Sequence, residues 1–188
     1  IKGTEGTPES LADRFVSSES GFFADLLPMA RNTIDIMVLR ALDVMLAQAE
    51  VSDFSESVDA FTATCSDSLS KGGRLFVVCC GSSYNAAKAA TLFFNEIANT
   101  EIVPVLPGEF RGQYAKSIKD GDLFIAISQS GETKDLIDVL NGVIASGLAI
   151  PRVAIVNNVN STLAQEKADV VIPLRCGPET AVPATKSF

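Results

Sequence analysis

Asp122-Leu123-Phe124-Ile125-Ala126-Ile127-Ser128-Gln129-Ser130-Gly131-Glu132-Thr133 is the stretch whose reading decides how this chain folds. Its first six residues form an apolar run of strand length. After Thr133, the apolar residues Leu136, Ile137, Val139, Leu140, Val143 and Ile144 recur at helical spacing. The pattern is strand, tight hydroxyl-rich turn, helix. A helix N-terminus presents unpaired backbone N–H groups and the positive end of the helix dipole, which suits an anion. Ser128, Ser130 and Thr133 add hydroxyl donors, Gln129 a backbone donor, and Gly131 lets the backbone turn tightly. The same Ser and Thr residues also suit plain helix capping, and this segment alone leaves both readings open.

A second copy of the arrangement lies upstream. Arg74-Leu75-Phe76-Val77-Val78-Cys79-Cys80 is an apolar run rich in strand formers, and Gly81-Ser82-Ser83 follows it. Tyr84 to Ala98 then carries a helical pattern whose expected apolar side is Ala87, Ala90, Leu92, Phe93, Phe94 and Ile97. Strands are expected at 74–80, 102–106, 122–127, 152–157 and 169–174. Helices are expected at 84–98, about 109–117, 133–146 and 161–166. This alternation predicts an α/β three-layer αβα sandwich with a five-stranded parallel sheet in flavodoxin-like order, preceded by N-terminal helices. In such sheets ligands gather at the carboxyl ends of the strands, where the connections diverge to opposite faces.

Residues 1–27 read as a Gly/Thr-rich lead-in and a weak helix, and 28–188 as a single domain. Ile34, Met37, Val38, Ala41, Leu42, Met45 and Leu46 form a broad helical stripe suited to packing and self-association. Ser55 to Leu69 is a second candidate helix, broken by Lys71-Gly72-Gly73.

The chain has 188 residues and a net charge of −8, which argues against a nucleic-acid or anionic-membrane surface. Cys65, Cys79, Cys80 and Cys176 match no zinc spacing and read as reduced thiols in a cytoplasmic protein. There is no histidine, which removes a Ser-His-Asp triad and histidine-based metal binding. No P-loop pattern occurs, so a phosphorylated small molecule suits the turn better than a nucleoside triphosphate. Glu109-Phe110-Arg111 reads first as a helix start with solvated charges.

Four segments in order carry a family resemblance: Cys80-Gly81-Ser82-Ser83-Tyr84, Glu109-Phe110-Arg111, Ala126 to Thr133, and Gly177-Pro178-Glu179 through Thr185-Lys186-Ser187-Phe188. Together they resemble the sugar isomerase (SIS) domain over 73–188. Within that family they are most similar to the first half of the double-SIS module of glucosamine-6-phosphate synthases, and to SIS-type deaminases. The resemblance implies binding of a hexose phosphate or amino-hexose phosphate, fructose 6-phosphate or glucosamine 6-phosphate first. The implied reaction is aldose–ketose isomerisation coupled to amination or deamination, with no cofactor. A non-catalytic sugar-phosphate sensor is the alternative.

The implied binding residues are Gly81, Ser82, Ser83, Ser128, Gln129, Ser130, Thr133, Val182, Ala184 and Lys186. Ala184 stands where the family has a small hydroxyl residue. The family's catalytic base and ring-opening histidine belong to a second half, which leaves Glu179 as the one weak carboxylate candidate here. A homodimer, or a pseudo-dimer with a second SIS half, is therefore expected.

Overall fold

The computed structural model describes residues 52–177. The lead-in, the stripe from Ile34 to Leu46, and the candidate residues Glu179, Val182, Ala184 and Lys186 lie outside them. The elements in order are α1 (Ser52–Ser70), β1 (Leu75–Cys79), α2 (Gly81–Ala98), β2 (Val103–Val105), β3 (Leu123–Ser128), α3 (Lys134–Ala145), β4 (Arg152–Val156) and β5 (Val170–Pro173). Two short helical segments, Pro107–Glu109 running into Phe110–Tyr114, and Leu163–Lys167, complete the connections.

All five strands are parallel, in the order β2-β1-β3-β4-β5. Strands covered on both faces become continuous apolar runs, as every residue of Leu75–Cys79 is buried. Successive side chains alternate between faces. Leu75, Val77 and Cys79 pack with Leu123, Ile125, Ala87 of α2 and Phe61 of α1. Phe76 and Val78 pack instead with Phe124 and with Leu136, Val139, Leu140 and Val143 of α3. This is the expected three-layer sandwich in flavodoxin-like order. Both edge strands carry a proline, Pro104 in β2 and Pro173 at the end of β5.

Two expectations need correction. The helix expected from Tyr84 begins at Gly81, with Cys80 as its N-cap, so Gly81-Ser82-Ser83 form its first turn. Glycine is poor only in a helix interior; at the first turn its backbone freedom lets the chain leave the strand at φ +58°. Leu92, Phe93 and Ile97 do not face the core: they are 67%, 63% and 80% exposed. Ala87, Ala90 and Phe94 turn to the sheet, and the helical period places Leu92, Phe93 and Ile97 on the other side.

The sheet is pinned at its amino edge by two ion pairs. Arg74, just before β1, pairs through its guanidinium with the fully buried Asp122, just before β3, at 2.7 Å. Asp122 also accepts the Arg74 and Lys119 backbone N–H groups. Arg152 at the start of β4 pairs likewise with Asp169 before β5.

Candidate functional site

The sheet order makes the site. The connection from β1 to the edge strand β2 runs through α2 on one face. The connection from β3 to β4 runs through α3 on the other. The switch point therefore falls between the carboxyl ends of β1 and β3. The two strands run in register, with Cys79 opposite Ile127, so the Gly81–Ser83 turn and the Ser128–Thr133 turn leave the sheet side by side. Both lead directly into helix N-termini.

The second turn is internally braced. The Ser128 and Thr133 hydroxyl oxygens lie 2.8 Å apart, and Ser128 Oγ accepts the Gly131 N–H at 3.1 Å. Ser130 Oγ accepts the Glu132 N–H at 3.2 Å. Hydroxyl hydrogens are few enough to count: the Ser128–Thr133 contact uses one of that pair's two, whichever residue donates. The other remains for an acceptor, as does the hydrogen of the exposed Ser130. Thr133 is the N-cap residue of α3, yet its side chain makes no capping bond to that helix. Plain capping thus does not account for this hydroxyl.

Ser82 is half-buried, and Ser83 is buried against the sheet at 6% exposure. Cys80 is the N-cap residue of α2, directly before the first turn. Burial, and then the nearby Asp135 carboxylate, push its thiol up from the ordinary value. A thiolate nucleophile is disfavoured there at neutral pH.

Residues that the sequence did not mark surround the turn. Gln129 O accepts the N–H groups of Asn157 and Asn158, and Gly131 O accepts that of Leu163. Glu132 Oε1 accepts the Thr162 N–H at 2.7 Å. That bond, with the Thr162 hydroxyl second, holds the Glu132 carboxyl below the usual range. The Asn157 side chain also fixes the loop after β5, accepting the Cys176 N–H and donating to Gly177 O. Gly177, the last described residue, therefore lies at this same edge.

Glu109-Phe110-Arg111 serves the frame around the site. Glu109 accepts the Leu106 N–H, and Phe110 is buried edge-on against Phe76 and Phe124 at 5.3 and 5.2 Å. Arg111 reaches Asp135, in the first turn of α3, at 3.5 Å.

A parallel α/β sheet whose switch point carries two serine-bearing turns, each opening a helix, defines a class of small-anion-binding domains. Within that class, residues 68–188 match the SIS domain, and the chain belongs to that family. Over 120 residues it is 40% identical to glutamine–fructose-6-phosphate aminotransferase (isomerizing) of Brucella abortus, covering 64% of this chain and 19% of the relative. The same enzyme of Caulobacter vibrioides is 36% identical over 115 residues, covering 61% and 18%. The C-terminal domain of glucosamine-fructose-6-phosphate aminotransferase from Francisella tularensis superposes with a TM-score of 0.64 and 26% identity, covering 82% of this chain and 41% of that one. The chain thus spans about a fifth of the length of the curated relatives it matches.

Proposed function

We propose that this chain is the phosphosugar-binding half of an amino-sugar-phosphate enzyme. Fructose 6-phosphate or glucosamine 6-phosphate is its first-choice ligand. The observation that supports this most is the pairing of the two turns at the switch point, with hydroxyl hydrogens unspent on both Ser130 and the Ser128–Thr133 pair. Ser128, Gln129, Ser130 and Thr133 hold the phosphate. Gly81, Ser82 and Ser83 contact phosphate or sugar oxygens. Val182, Ala184 and Lys186 of the following loop meet the sugar. The named activity of the related aminotransferases supports the choice of ligand.

The reaction in the whole enzyme is aldose–ketose isomerisation coupled to amination or deamination. It needs a base over the open-chain sugar and an acid for ring opening. The chain has no histidine, and the carboxylates nearest the turn, Glu132 and Asp135, are engaged by Thr162 and Arg111. A second SIS half, or a second copy, supplies the missing groups; Glu179 is the local candidate. That same shortage favours a second reading, a sugar-phosphate sensor that binds without turnover.

Calorimetry tests the binding. Fructose 6-phosphate should bind and unphosphorylated fructose should not. Ser130→Ala should weaken the phosphosugar by about ten-fold or more, as the loss of a charge-assisted hydrogen bond requires. Equal affinity in wild type and Ser130→Ala would sink the assignment. Turnover by the longest native chain separates enzyme from sensor.

A further inference from the structure

We propose that Glu132 is a positioning residue, tying the phosphate turn to the helical segment that follows β4 and so fixing the turn's shape for its ligand. The inference rests on the turn's being the phosphate site.

Glu132 comes before Thr133, the N-cap of α3, so its carboxylate is not in that helix's first turn. It reaches instead across 30 residues to the Thr162 N–H at 2.7 Å. Beside that bond, Gly131 O accepts the Leu163 N–H at 3.1 Å. The first N–H groups of a helical segment lack partners within it and need outside acceptors. Here Glu132 and the Gly131 carbonyl provide them.

A nearer acceptor exists and is not used. Ser161 lies just before Thr162, the N-cap residue of the segment, and its carbonyl accepts the Gln165 N–H. Ser161 Oγ is fully buried with no hydrogen-bond partner, packed where a side chain on residue 131 would stand. Neither the Thr162 nor the Ser161 side chain caps the segment, and the Thr162 and Leu163 N–H groups are met from the turn instead. These two long-range bonds fix Glu132 and Gly131 relative to a second element. The Glu132 bond also holds the negative carboxylate on the Thr162 N–H.

The test uses the full chain with Glu132→Ala, Glu132→Gln, Thr162→Pro and Ser161→Ala. Binding of fructose 6-phosphate and of inorganic phosphate is read by calorimetry. Amide hydrogen exchange is read at Thr162 and Leu163. Glutamine keeps an acceptor oxygen, so Glu132→Gln should bind within about two-fold of wild type or tighter. Glu132→Ala should bind about three- to ten-fold more weakly and exchange faster at both amides. Thr162 has φ −55°, which proline accommodates, so Thr162→Pro removes the same bond from its other end and should weaken binding alike. Ser161→Ala should bind as wild type. A merely structural role would lower the melting temperature without separating Gln from Ala in affinity. If Glu132→Ala and Thr162→Pro both bind as wild type, or Glu132→Gln binds as weakly as Glu132→Ala, the proposal is overturned. If wild type binds neither ligand, the phosphate reading falls and takes the positioning role with it.

Discussion

Gly131 shows how little room the Ser128–Thr133 turn has. Its φ is +68°, and a Cβ there would lie 1.9 Å from Ser161 Oγ. Alanine must therefore both adopt a left-handed backbone and displace a packed neighbour. We expect Gly131→Ala to cost about 1–3 kcal/mol of stability and to abolish measurable fructose 6-phosphate binding, checked by denaturant unfolding and calorimetry. Ser161→Ala should move the other way. It deletes a buried hydroxyl without a partner, and a gain of up to about 1 kcal/mol is expected in the same unfolding experiment. The turn residues Ser128 to Thr133 were legible because they are contiguous, between a strand pattern and a helix pattern. Asn157, Ser161 and Thr162 were not, because their partners in the turn lie about 30 residues away and only the β3–β4 pairing brings them together.

Among the elements, the strands were readable because parallel strands buried on both faces are almost wholly apolar, while their order came from the flavodoxin-like class that the family resemblance implies. Helix faces were harder. Apolar residues occur on both sides of α2, and periodicity alone cannot say which side meets the sheet. Phe93→Asp with Ile97→Asp should change the stability of the isolated chain by no more than about 0.5 kcal/mol per site, since both residues are already exposed. A loss of several kcal/mol in denaturant melts would show that this face is core.

The pinning of β1 to β3 predicts an acid dependence. Burial would raise the Asp122 carboxyl, but the Arg74 hydrogen bonds, the Lys119 N–H and the Arg74 charge outweigh it, and its pKa is lowered. A lowered carboxylate contributes stability above its unfolded value of about 3.9, and that contribution is lost as pH falls through the lower folded value. Asp122→Ala should cost about 3 kcal/mol at pH 7, the lower end for a broken buried pair because Arg74 is one-third exposed. Urea melts of wild type and variant should converge as pH drops below 4. Cys79, fully buried and pushed up to about 12 by burial and then by Cys80, should resist iodoacetamide at pH 8 until the protein is unfolded.

On the scale of the whole molecule, the sheet order puts both serine-bearing turns at the carboxyl edge of the sheet. The prolines at the two sides of the sheet bear on how a neighbour could meet it. A strand on a sheet's margin normally offers a template on which another chain can lay a strand, the route to β-augmentation and to fibrils. Pro104 and Pro173 remove a donor from each margin of the five-stranded sheet. Among the described residues, both margins of the sheet are thus poorer templates for a further strand, which favours helices and loops over sheet extension as the way a neighbour would meet this domain.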